Sequence, residues 1–172
     1  MAIRRVFGVA LVFAITALCA AHAGDVEDGD AAFKQKDYAT AVKLLMPFAL
    51  KGDPVAQLDI GIMYFSGNGL PQNRDEAAKW FYASAQQGQF GAQTDIGIAY
   101  ATGTGVKRDL VQAYMWFSVS AAQAAALGRN ASTDYRDHVA SELSAEELAR
   151  AKVLVKKCQA SNYRNCGESD GP

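Results

Sequence analysis

The sequence predicts an all-α fold, a right-handed α-solenoid of antiparallel helix pairs, and three observations carry that expectation. Ala56-Gln57-Leu58-Asp59-Ile60-Gly61-Ile62-Met63-Tyr64 recurs as Ala92-Gln93-Thr94-Asp95-Ile96-Gly97-Ile98-Ala99-Tyr100, a shift of 36 residues. The pairs Gly67/Gly69 and Gly103/Gly105 follow the two copies in the same register. Half of the chain is hydrophobic, enough for a folded core. A period of this length marks stacked units, none of which buries its apolar face alone.

Residues 1–23 read as a cleaved signal peptide. Arg4 and Arg5 give a positive start, residues 6–20 an apolar run, and Ala21-His22-Ala23 a cleavage site that would leave Gly24 first. The run falls short of the ~20 residues a spanning helix needs, so stable membrane insertion after cleavage is not expected. Cys19 follows Leu18, with Thr16 further back, which does not suit lipid attachment. The expected location is periplasmic or secreted.

Residues 24–54 form a degenerate earlier unit. Shifting back by the same period places Asn73 on Asp37, Ala77 on Ala41, Ala85 on Ala49, Gly88 on Gly52 and Ala92 on Ala56. Residues 55–127 hold the two full repeats. The first helix opens after Gly52-Asp53-Pro54, where Asp53 caps and Pro54 suits the first turn. It carries Ala56, Ile60, Gly61 and Tyr64 at helical spacing, and Gly97 and Tyr100 repeat the last two. A glycine inside a helix costs ~1 kcal/mol relative to alanine, so its repetition implies a close helix approach. The loop glycines end the first helices, and Asp37, Asn73 and Asp109 cap the second ones. Those second helices are expected to bury Ala41, Leu44 and Leu45, then Ala77, Trp80 and Phe81, then Ala113, Trp116 and Phe117.

Residues 128–160 are expected to form a capping helix pair, with a helix within 127–143 and a last one opened by the capping box Ser144-Ala145-Glu146-Glu147. Residues 161–172 form a tail. In the mature chain two cysteines remain, Cys158 and Cys166, and in an oxidising compartment they most simply pair. Two thiols without a nearby histidine are too few for zinc, so no metal and no cofactor is expected.

The formal charge is −1, and losing Arg4 and Arg5 makes it more negative, so no basic field exists for nucleic acid. The glycine loops lack the Gly-Lys-Ser/Thr sequence of a phosphate cradle. The Trp-Phe pairs read as core at helical spacing. After cleavage one histidine remains, His138, and Asp134 one turn away reads as its exposed charge partner. Asp59 and Asp95 read as repeated scaffold positions. No catalytic residue is assigned.

Ala-Gln-x-x-Ile-Gly-x-x-Tyr, the Gly-x-Gly loop and the Ala-x-x-Trp-Phe helix resemble the Sel1-like repeat, a relative of the tetratricopeptide repeat. The likeness is strong over residues 55–123, where Gly61, Tyr64, Gly67, Gly69, Ala77 and Trp80 recur as Gly97, Tyr100, Gly103, Gly105, Ala113 and Trp116. Gly29, Ala32, Phe33, Asp37, Tyr38 and Ala41 resemble a plain tetratricopeptide unit acting as an N-terminal cap. The resemblance implies a non-enzymatic scaffold, a monomer that binds an unidentified protein partner on a concave face formed by successive first helices. By that analogy the partner-binding residues are Leu58, Ile62, Phe65, Ser66, Thr94, Ile98, Ala101 and Thr102. Cysteine-rich relatives are associated with β-lactam binding and hydrolysis, but their cysteine pairs clamp each repeat. Here the repeats contain none, and no Ser-x-x-Lys is present. A third reading is docking to an acidic partner or a membrane surface through Arg150, Lys152, Lys156, Lys157 and Arg164 of the basic C-terminal helix and tail.

Overall fold

A computed structural model describes residues 26–126, 131–164 and 166. The expected signal segment, with Cys19 and Gly24, lies outside the described residues, as do 127–130 and most of the tail beyond Arg164. Eight helices and no strand occur among the described residues. They are α1 (26–34), α2 (Tyr38–Leu50), α3 (Pro54–Ser66), α4 (Arg74–Ala85), α5 (Phe90–Thr102), α6 (Leu110–Ala126), α7 (Ala131–Glu142) and α8 (Ala145–Ala160). From α2 to α7 each helix packs on the next, and α6 also packs on α8. The result is the all-helical solenoid the repeat demands.

Short side chains start the helices. Asp53 Oδ1 accepts from the Val55 and Ala56 amides at 3.0 and 2.9 Å, and Asn73 Oδ1 from the Glu76 amide at 3.1 Å. Asp109 Oδ1 does the same for Val111 and Gln112, and Ser144 and Glu147 close a reciprocal box. At α5 the capping side chain is Gln89, which accepts from Gly91 N at 2.7 Å.

The repeat is visible in its cross-links as well as its core. Gln57 Nε2 donates to Ala49 O at 3.2 Å, and its Oε1 accepts from Gln87 Nε2 at 2.8 Å. One unit later Gln93 Nε2 donates to Ala85 O at 3.3 Å, and its Oε1 accepts from Gln123 Nε2 at 3.0 Å. Ser84 Oγ donates to Pro54 O, and Ser120 Oγ to Phe90 O. These bonds satisfy polar groups that stacking removes from water.

Gly61 and Gly97 are where the first and second helices of a unit touch. A Cβ on Gly61 would lie 2.7 Å from Phe81 Cδ1, and one on Gly97 2.7 Å from Phe117 Cε1. Gly69 and Gly105 instead let each loop lie against the preceding unit. A Cβ there would sit 2.8 Å from Tyr38 Cβ and 2.0 Å from Arg74 O.

Two apolar clusters form the interior. The smaller joins Ala41, Leu45, Ala49, Ala56, Ile60 and Met63, and the larger runs from Ala77 to Cys166 around Trp116, Phe117 and Met115. Leu44 and Trp80, expected to be buried, are only half-buried. Trp80 packs from the side on the smaller cluster, while Phe81 takes the inward place beneath Gly61.

Candidate partner-binding groove

Three helices from two consecutive units enclose a cavity of about 530 Å³. Ile62 and Phe65 on α3 form one wall, Ala78 and Phe81 on α4 the floor, and Asp95, Ile98 and Thr102 on α5 the other wall. Arg74 and Thr104 complete its edge. Phe65 remains 43% exposed although it is a large apolar residue. Its ring lies 6.4 Å from Phe81 and 6.0 Å from the Arg74 guanidinium carbon.

Local bonding fixes this edge. Gln72 Nε2 donates to Phe65 O at 2.9 Å, and Arg108 Nε donates to Ala101 O at 3.0 Å in the equivalent place, tying each loop to the end of its first helix. The Ser66 hydroxyl donates to Ile62 O, and the Thr102 hydroxyl to Ile98 O. Both groups are thereby engaged within their own helices.

Of the eight residues expected to meet a partner, Ile62, Phe65, Ile98 and Thr102 line this cavity. The other four are not among its lining residues. Leu58 and Ala101 are half-buried against the larger cluster, and Ser66 is exposed at the end of α3. Thr94 Oγ1 lies 2.7 Å from Ser120 Oγ and 2.9 Å from Ser132 Oγ, a hydroxyl cluster beneath α7. Helix α7 also sets Tyr135 on Phe117 with centroids 5.3 Å apart, which fills the next unit along.

Sequence reasoning passed over Arg74, and it read Asp95 only as a repeated scaffold position. Burial pushes the Asp95 carboxyl up to about 6. Its equivalent Asp59 is pushed up to about 7, chiefly by burial and next by Asp30, with Lys34 opposing them. Asp59 Oδ2 has no hydrogen-bond partner among the described residues. The usable signal for Arg74 was a departure from the repeat, because Tyr38 and Leu110 occupy its equivalent positions.

Away from the groove, the His138 imidazole approaches Glu142 at 3.6 Å and is exposed. The expected partner Asp134 is replaced by the carboxylate one turn toward the C-terminus, itself shared with Arg108 at 3.1 Å. Cys158 and Cys166 form a disulfide. Both are buried, and Tyr82 Oη donates to Cys166 O at 3.2 Å, so the closed tail returns to α4. The side chains of Arg150, Lys152, Lys156, Lys157 and Arg164 are exposed. No helix among the described residues is long and apolar enough to cross a membrane.

The fold is similar to that of a protective antigen of uropathogenic Escherichia coli strains that displays an SLR fold, with a TM-score of 0.73 and 25% identity over 88% of this chain. It is also similar to a Sel1 repeat protein from Oxalobacter formigenes, with a TM-score of 0.54 and 24% identity over 75% of this chain. The alignments span 35% of the first of those chains and 60% of the second. No curated protein matches the sequence. The Sel1 repeat family matches residues 54–89 and 91–124, which coincide with the helix pairs α3/α4 and α5/α6, so the helical solenoid carries two Sel1 repeats.

Proposed function

We propose that this protein is a non-enzymatic scaffold that holds a partner protein in the groove between α3, α4 and α5, and that it works outside the cytoplasm as a monomer. The observation that supports it is the groove itself, an apolar cavity with an exposed aromatic ring at its edge, built jointly by two repeats. Pockets with mostly apolar walls and a few polar groups are the ordinary form of a binding site. The export reading draws support from the Cys158–Cys166 disulfide, a bond that persists in oxidising compartments.

The double variant Ile62→Ala with Phe65→Ala tests the groove. Capture from a cell-envelope fraction should retain a protein with the wild type that the variant releases. The variant's melting temperature should fall by no more than about 10 °C, because Phe65 is largely exposed and Ile62 is only half-buried on the larger cluster. A large drop in melting temperature would place both residues in the core, and unchanged capture would place the partner elsewhere.

A further inference from the structure

Asp95 stands on the groove wall beside Phe81 and Ile98, and burial alone displaces its carboxyl from the usual range. A carboxylate in apolar surroundings gains most from a cation that replaces the water it has lost. One repeat back, the equivalent Asp59 is acted on by charged groups of α1: Asp30, which raises its pKa, and Lys34, which is ion-paired to Asp30 and opposes it less strongly. Lys34, at the end of α1, lies within electrostatic reach of Asp59 and favours its charged form. The same period that carries Asp59 to Asp95 carries Lys34 to Leu70. The second unit keeps the carboxylate with Ser66 and Leu70 in place of Asp30 and Lys34, so burial acts on Asp95 without a charged neighbour among the described residues, and the open groove lies beside it.

We propose that the groove accepts a lysine or arginine side chain of the partner, its methylene stem against Phe65, Phe81 and Ile98 and its cation on Asp95, with an acidic neighbour of that residue meeting Arg74. This rests on the groove being the partner site and names the side chain that fills it. Long basic side chains suit such walls, since the stem buries on apolar surface while the head keeps a charged partner. Arg74 at the edge disfavours an unaccompanied polycation and offers a paired, forked contact to a carboxylate. The preferred segment is therefore mixed in charge.

The test uses the full chain and fluorescein-labelled peptides of the form Gly-Glu-Leu-X-Leu-Gly, with X lysine, arginine, norleucine or glutamate, read by fluorescence anisotropy near neutral pH. The lysine and arginine peptides are expected to bind about tenfold more tightly than the norleucine peptide, and the glutamate peptide least. Asp95→Asn should bring lysine down to the norleucine level. That variant should keep its fold by circular dichroism, because the amide carries no burial penalty for charge. The wild-type comparison of lysine with norleucine needs no variant at all. Equal binding of those two peptides, undetectable binding of the lysine peptide, or indifference of the lysine peptide to Asp95→Asn would overturn the proposal. Apolar capture that is equal for lysine and norleucine but lost in the Ile62/Phe65 double variant would leave the scaffold reading standing. Binding of every peptide unaltered by the double variant would remove the groove as the site.

Discussion

Gly61 and Gly97 show how a single missing side chain sets the distance between two helices. A methyl group at either place would meet a ring, and the ring at Gly97, Phe117, is held from its other side by Tyr135, whereas Phe81 borders the groove. Gly97→Ala should therefore destabilise the protein by roughly 1–3 kcal/mol despite alanine's better helix propensity. A urea midpoint equal to or above the wild type's would contradict this. The need for glycine was legible because it recurred; the ring that demands it was not, since Phe81 lies on another helix. Asp59 presents a different case. Its carboxyl, 6% exposed as a residue, keeps its proton up to about pH 7 in the folded state, whereas its ordinary pKa is 3.8. The folded state thus binds more protons than the unfolded one across that window, and stability falls as pH rises from about 4 to about 7. The upper limit of this loss is about 4 kcal/mol, from about 1.4 kcal/mol for each pH unit. Asp59→Asn should flatten the dependence and be more stable than the wild type near pH 8. Urea midpoints of the wild type that match near pH 5 and pH 8 would rule the effect out.

At the scale of elements, the caps and loop glycines were readable because each acts within a few residues of chain. Asn73→Ala removes the bond to Glu76 N and should cost about 1 kcal/mol, measured as a shift in thermal midpoint, with the loss concentrated at the start of α4. Such local chemistry carried the starts of α2, α3, α4, α6 and α8 and the glycine ends of α3 and α5. It did not carry the arrangement of the last pair, where the repeat ends and no register remains to project. The covering of Thr94 by α7, through Ser120 and Ser132, follows from packing between distant segments. The pairing of His138 with Glu142 instead of Asp134 likewise depends on which side of α7 faces Arg108. The tail gives a further expectation. Replacing Cys158 and Cys166 by serine should cost about 2 kcal/mol, and hydrogen exchange should quicken at the C-terminal end of α8 while α3 and α4 keep their protection. Uniform loss of protection would show that the disulfide supports the whole array.

Across the whole molecule, stability is expected to be uneven because the two apolar clusters differ in size. The N-terminal cluster holds six buried residues and the other contains Trp116, Phe117 and Met115. Native-state hydrogen exchange should show α2 opening at a lower free energy than α6, since local stability follows buried apolar contact. Equal opening energies would indicate one cooperative unit. The solenoid was legible from periodicity alone, whereas the groove was half legible. Sequence reasoning treated the exposed positions of every unit alike, and the structure distinguishes them by what the neighbouring unit lays over them. Phe65 and Ile98 stay at an open cavity, but Thr94 does not. The glutamine pairs point to a division of labour along each helix pair. Gln57 meets Gln87, and Gln93 meets Gln123, at the ends remote from the loops, while Phe65, Arg74, Thr102 and Thr104 gather at the loop ends. Through their second bonds, to Ala49 O and Ala85 O, Gln57 and Gln93 also tie each unit to the one before it. The loop end is pinned to the preceding unit at Gly69 and Gly105, where no side chain fits, so changes in the groove edge that keep the stack must leave those two glycines in place.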